Sequence, residues 1–568
     1  MKDRAFWLSF IFILLGLIGC AFFTPARFPA VLPEAPPLPI KQRVILLPLD
    51  SRPPTLNFPV ELGALGNIQV IIPPKSLLDQ NTIPGNQEAL FNWLEKESET
   101  ADAIVLSTDM LLQGGLVASR RISPDILTAE SRAEWEKRTS KLIERLEFLR
   151  KKNPNLHFLG FSIIPRQLVS EEPPARDYQP HLYHYSFYAD RVSQFEGEKD
   201  TTKFLEWREI LPEEVRLQYH ELFDRNLILH EKLILATQKG LFDRLIIGQD
   251  DAQPFGIPNW YRKRAVDFAK KHGVLETKVF FTGGTDELAQ LLVARYALSE
   301  RKDPFSVYTY YTEKTTFYRI LPYMSETLGT NVDEKFRILG IVPVASPDDA
   351  NLILAVHGGY RNPDLPAYRQ AAKQLNSWMR EGKAVSIMDV NRDFNKPESL
   401  LPILIDEKVP LLNLAGYAGW NTASNSLGTA LSQGILFTIG MDGSSPSGSM
   451  PERRNLQGTF LVSRFLDDWA YQKELQTKLN YRLRFLNYNP YALGINDQRI
   501  RQELKQQIHY SFDQLYEKQF SQIPYTFLAD EGERRFFLRN VQINIYFPWY
   551  RTFEIDLKVT PLWEKAMD

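Results

Sequence analysis

The sequence predicts an α/β protein: a (β/α)8-like barrel with a smaller inserted α/β unit and a C-terminal α+β extension, two successive open α/β domains being the alternative. Three observations predict it. From residue 41 to about residue 440, short apolar runs alternate with longer amphipathic, charged stretches, as parallel strands covered on both faces by helices require. At 568 residues the chain exceeds what one ordinary core fills, so several structural units are expected. Past about Gly440 the alternation stops, and helical patterns and then β-rich patterns follow.

The elements follow in chain order. Lys2 and Arg4 precede an uncharged apolar run from Ala5 to Phe23, which is the form of a signal segment or of a short spanning helix. Leu17-Ile18-Gly19-Cys20 has the form of a lipobox, and the chain's single cysteine falls on it. Lipidation at Cys20 is therefore expected, with a retained signal anchor as the alternative. Either arrangement tethers the N-terminus to a membrane and places the rest outside the cytoplasm, because the basic residues stay inside. Residues 1–24 form this segment, and the Pro-rich residues 25–40 form a semi-rigid linker.

Strands are expected at Arg43–Leu49, Ile68–Ile72, Ala103–Ser107, Phe158–Ile164, Arg244–Gly248 and Lys278–Thr282, with helices at Glu130–Lys151 and Pro212–Lys239. Together these make 41–302 the first part of the barrel-like domain. Ser306–Tyr310, Ile338–Val344 and Leu352–Val356 are assigned to the unit inserted at 303–375. Ala384–Met388 and Leu411–Ala415 complete the barrel over 376–440. The extension, 441–568, opens on a Gly/Ser/Pro loop, continues with helices at Thr459–Lys478 and Gln498–Lys518, and ends in β structure over Arg535–Val559.

Composition narrows the function. A net charge of −2 without a dense Lys/Arg run argues against nucleic acid as a partner. One cysteine excludes intrachain disulfides, and the globular part has neither a cysteine metal site nor a thiol nucleophile. Aromatic residues at 12% suit carbohydrate stacking, although core packing accounts for most rings of this kind. No G-x-S-x-G, Walker A, G-x-G-x-x-G or H-E-x-x-H motif occurs, and no cofactor is expected. His181 and His184, in a Pro/Tyr-rich stretch, are weak metal-ligand candidates.

The acids carry the functional signal. Asp50, Asp109, the pair Asp250-Asp251, Asp286-Glu287 and Asp389 all follow strand candidates. The carboxyl ends of strands gather on one rim, where α/β proteins build their sites. Crowded carboxyls raise each other's pKa, so that one stays protonated while another is ionised, as acid/base attack on a glycosidic bond requires. Each has a plainer reading. Asp50 caps a turn or pairs with Arg52, Asp286 and Glu287 favour a helix start, and Asp389 caps the turn at Val390-Asn391. Asp250 and Asp251, two adjacent acids, are the strongest pair. Gly114 and Gly115 permit close backbone approach to a ligand or shape a turn. Arg120 and Arg121 bind an anion or stand solvated. Trp420 and Asn421 suit a sugar face and its hydroxyls, or pack a helix.

Several blocks resemble the bacterial family called domain of unknown function 4127. They are Val44–Pro53, Leu106–Leu116, Gly248–Ala252, Ala418–Asn425 with Gly428–Leu431, and Phe547–Glu554. The resemblance covers nearly all of the globular chain and carries no assigned activity. The Asp-Asp pair is also similar to the acid pair of substrate-assisted N-acetylglucosaminidases. The expectation is a membrane-tethered extracytoplasmic hydrolase of glycosidic bonds in envelope or exopolysaccharide glycans. Asp250 and Asp251 would be its acid/base or stabilising pair, Asp50 and Asp109 supporting carboxylates, and Trp420 and Asn421 the sugar contacts. A non-catalytic lipoprotein binding a glycan or protein, and a metal-dependent phosphoesterase, are the alternatives.

Overall fold

The computed structural model describes residues 42–122, 128–168, 175–195, 197–359, 363–391, 398–442, 450–494, 497–529 and 532–566. The N-terminal segment with Cys20, and the Pro-rich linker, lie outside the described residues.

The apolar runs form parallel strands in two sheets. The first holds β1 (Gln42–Leu47), β2 (Ile68–Ile71), β3 (Ala103–Ser107), β4 (His157–Ile164), β5 (Arg244–Gln249) and β6 (Val279–Gly283), in the order β2-β1-β3-β4-β5-β6. The second holds β7 (Ser306–Tyr311), β8 (Val342–Pro343), β9 (Leu352–Gly359), β10 (Val385–Asn391) and β11 (Gly416–Ala418), in the order β11-β10-β9-β7-β8. Counted from its own first strand, the second sheet repeats the 2-1-3-4-5 order of the first. Strand order reverses between β1 and β3 and between β7 and β9, and α/β sheets bind ligands outside the carboxyl ends at such points. Pairing between the two sheets, which a closed ring would need, is not among the described strand pairs. β10 and β11, beyond residue 375, share a sheet with β7 to β9.

Burial on both faces explains why these strands read as unbroken apolar runs. Val44 and Leu46 enter one core while Ile45 and Leu47 enter another. The first of these cores is common to both sheets, since it also contains Leu352, Leu354 and Val356 of β9. Helices Leu288–Ser299 and Ala423–Met441 run through it and are buried almost all round, as the middle layer between two sheets must be.

Two expected strands differ. Ile338 and Leu339 finish helix Leu328–Leu339, which ends on left-handed Gly340 (φ 71°) and leaves only Val342–Pro343 for a short edge strand. Pro343 lacks the N–H that a longer ladder would use. Leu411–Asn413 is a 3₁₀ turn after Pro410, and the strand begins at Gly416. In both cases apolar side chains are buried without a ladder.

In the extension, helix Met450–Arg464 passes through wide π turns (Phe465–Leu475) into helix Gln476–Phe485, and helix Asp497–Leu515 follows. An antiparallel sheet, β12 (Tyr525–Ala529), β13 (Gly532–Tyr546) and β14 (Asp556–Lys565), completes it. Leu538, Val541 and Ile543 of β13 share a core with Ile353, Ala355 and Tyr417 of the second parallel sheet. The β13–β14 connection thereby reaches the strand ends of the first sheet, where Trp549 Nε1 donates to Ser51 Oγ at 2.8 Å. Among the described residues no helix is long and apolar enough to cross a membrane.

Candidate functional site

The carboxyl ends of β1, β4, β5 and β6 open onto neighbouring cavities of about 510 Å³ and about 200 Å³. Arg52, Arg166, Asp251, Tyr323, Asn421 and Phe553 line both, so the two form parts of one cleft. The smaller part lies at the β1/β3 reversal, between Arg52 after β1 and Arg120 after β3.

Arg52 immediately precedes helix Pro53–Leu65, whose two opening prolines fix the chain's exit from β1. Its Nε and Nη2 donate to Asp50 Oδ2 at 3.0 and 2.7 Å, and Nη2 also donates to Asp286 Oδ1 at 2.7 Å. The guanidinium lies 5.1 Å from the centre of the Trp549 ring. Burial alone would raise the Asp50 carboxyl, but the charge of Arg52 and hydrogen bonds from Arg52 and Thr55 hold it below its ordinary value. Asp286 goes the other way. Burial pushes it up to about 7 against the pull of Arg52, and Asp50 and Asp250 add to the rise.

Asp250 and Asp251 sit in unlike surroundings although adjacent. Asp250 is 5% exposed, and its carboxyl is raised by burial, opposed by Arg120 and supported by Asp251. The Asp251 side chain is 28% exposed, faces both cavities and pairs with Arg166 at 3.2 Å. Arg120 Nε stands 2.7 Å from Asp250 Oδ2, yet the two are misaligned and neither atom makes a hydrogen bond. Three lining residues other than glycine hold left-handed backbone: Asp251 (φ 33°), Tyr323 (φ 64°) and Asn421 (φ 47°). Each such residue costs on the order of 1–3 kcal/mol, and such strain gathers at functional sites.

Trp420 walls the larger cavity but is 3% exposed, with Nε1 donating to Thr429 Oγ1 at 3.1 Å and its ring set edgewise against Phe58. It therefore packs more than it presents. Asn421 faces both cavities, while its amide Nδ2 donates to Asn425 Oδ1 at 3.0 Å.

The remaining candidates lie behind the walls of these two cavities. Asp50 holds Arg52. Asp109 is fully buried, accepts the β4 amide of Ile163 at 3.1 Å, and is pushed up to about 7 by burial. Gly114 (φ 92°) and Gly115 (φ 122°) make a turn against the 79–87 loop, where a Cβ on Gly115 would lie 3.1 Å from the Asp79 carboxyl. Glu287 is sealed against Lys335 Nζ at 2.7 Å, both fully buried. Asp389 accepts the amides of Leu400 and Leu401 and the Tyr417 hydroxyl, organising the start of helix Leu401–Asp406. His181 and His184 lie on helix Gln179–Phe195 and pack on Trp207, His184 stacking at 4.5 Å.

The sequence candidates did not include Arg166, Tyr323 and Arg551, which line the cleft, or Asp79, which lies behind it. Arg166 follows β4 as the acids follow their strands, and Arg551 falls within the Phe547–Glu554 block, so both carried a signal. Asp79 did not, since it lies in a turn with no motif. It is 4% exposed beside Asp50, and burial and that charge raise its carboxyl well above the ordinary range.

Fold and cleft define a class: an α/β protein with two parallel sheets whose strand ends bring arginines and carboxyls from distant segments into one strained cleft. The chain belongs to the family described as "Protein of unknown function (DUF4127)", whose model matches residues 44–558. No curated protein matches it.

Proposed function

We propose that the protein is a membrane-tethered, extracytoplasmic hydrolase acting on glycosidic bonds of envelope or exopolysaccharide glycans. The observation that carries this reading is the unlike pair at the end of β5. Asp250, raised by burial, is suited to give a proton to the leaving glycosidic oxygen, while Asp251 reaches solvent and can act on the sugar or on water. Asp286, at about 7, is a second proton donor on the same wall. Arg52 and Arg166 orient these carboxyls, and Asn421 supplies polar contact to the sugar. The earlier roles shift accordingly: Asp50 positions Arg52, and Asp109 supports β4.

The test is release of reducing ends from a panel of envelope glycans. Asp250→Asn and Asp251→Asn should each lower kcat by roughly 10²–10⁴-fold in protein that circular dichroism shows to be folded, while Asp109→Asn keeps turnover. Wild-type turnover in Asp250→Asn would sink the assignment.

The second reading, a non-catalytic glycan-binding lipoprotein, is favoured by the pairing of each cleft acid with an arginine. Under it, the same substitutions change affinity and no glycan is cleaved. Among the described residues no three histidine, cysteine or carboxylate side chains are grouped to hold a metal ion, so the phosphoesterase reading gains no support. Tethering rests on the Lys2–Cys20 segment. Metabolic lipid labelling should mark the wild type and not Cys20→Ala; equal labelling of both removes the lipoprotein form.

A further inference from the structure

Arg120 is the cleft residue that acid/base chemistry leaves unexplained. It is 8% exposed and lines the 200 Å³ cavity, and its close partner is the Asp250 carboxylate, 2.7 Å from Nε. A guanidinium carries five N–H donors, so one carboxylate beside Nε leaves donors at the Nη end for the oxygens of a ligand. Arg52, Arg166 and Arg551 line the same cavity, so guanidinium groups from four separate segments face one small space. The acids on that wall are Asp250, Asp251 and Asp286. Asp50 holds Arg52 from behind that wall and Glu554 holds Arg551 at 2.9 Å, while burial raises the carboxyls of Asp250 and Asp286, the latter to about 7, and so weakens their hold on the arginines.

We propose that the smaller cavity is an anion subsite that takes the carboxylate, or a phosphate ester group, of an acidic glycan, with Arg120 as the specificity-determining residue. A guanidinium fork matches two oxygens of such a group, which a neutral sugar cannot supply. The adjoining larger cavity, walled by Tyr323 and Asn421, holds the sugar ring. The inference deepens the glycan reading and rests on it for the sugar, though not for the anion. An anion brought beside Asp250 and Asp286 favours their protonated forms, so binding takes up protons and weakens as pH rises through 7.

Calorimetry on the full chain, with glucuronate, glucose and inorganic phosphate in two buffers of different ionisation enthalpy, tests this. Glucuronate should bind at least about tenfold more tightly than glucose, with net proton uptake at pH 7. Arg120→Gln should lose at least about tenfold of that affinity, and Arg551→Gln should lose affinity in the same direction if the first variant does not fold. Phosphate binding more tightly than glucuronate assigns an ester source, and the reverse assigns a carboxylate source. Equal affinity for glucuronate and glucose overturns the subsite, as does failure of both anions to bind or wild-type affinity in the folded Arg120→Gln protein. Hydrolysis of neutral glycans without anion binding removes the subsite alone. Anion binding without hydrolysis of any glycan removes the hydrolase reading alone.

Discussion

Arg52 shows how a single residue organises this cleft. Its guanidinium satisfies Asp50 and Asp286 at once, and all three are at most 5% exposed. Removing one partner of a buried ion pair leaves the other charge uncompensated, so Arg52→Ala should cost about 3–5 kcal/mol in urea unfolding at pH 7. Arg52→Lys should fall between, because an ammonium cannot reproduce the fork that reaches both carboxyls. A loss under about 0.5 kcal/mol in Arg52→Ala would show that the network does not hold the site. The pairing of Asp50 with Arg52 was legible in the sequence as a local possibility, since only Ser51 lies between them. Asp286 as a third member was not. The reach of a long side chain between strands far apart in sequence depends on sheet order, which no local pattern encodes. The same holds for Arg120 with Asp250 and Arg166 with Asp251.

At the scale of elements, the strands were legible wherever both faces are buried. Val44–Leu47, Ala103–Ser107 and Arg244–Gln249 read as apolar runs because each side of the sheet has its own core. The same signal misleads where an apolar run is buried without a ladder, as in Ile338–Leu339 at a helix end and Leu411–Asn413 in a turn. Placing the acids at strand ends succeeded for Asp250, Asp251 and Asp286, because parallel strands all deliver their carboxyl ends to one edge. It failed for Asp109 and Asp389 for a reason of direction. Both side chains turn back to backbone amides, of β4 and of helix Leu401–Asp406, and not outward to the cleft. Sheet membership and the entry of the β13–β14 connection into the site belong to tertiary packing, and only the Phe547–Glu554 block hinted that the extension matters there.

Across the whole molecule, the density of buried ionisable groups sets how stability responds to pH. Burial raises Asp109 to about 7, and Asp286 and Asp468 reach about 7 as well, each helped by neighbouring acids against the pull of an arginine. The folded state therefore holds protons that the unfolded chain, titrating near the ordinary Asp value of about 4, has already lost. Stability falls with rising pH wherever the folded state binds more protons, and for these acids the fall runs from about 4 to somewhat above 7. The buried histidines oppose it. His230 is lowered to about 4 by burial and His357 is lowered in the same way, so each adds stability as pH rises through 6.5, with about 0.4 kcal/mol still gained above it because half of the unfolded-state imidazole is then protonated. Between pH 6.5 and 8 each acid loses about 0.8 kcal/mol, so the acids prevail. Asp79, raised well above the ordinary range by burial and by Asp50, works in the same direction. Urea unfolding should thus show stability dropping by roughly 1.5 kcal/mol from pH 6.5 to 8, and by less in Asp109→Asn, which cannot ionise. A flat or rising profile over that range would mean that these carboxyls are already ionised in the folded protein at pH 6.5. That result would also remove Asp286 as a proton donor and make the cleft a site that binds through fixed charge.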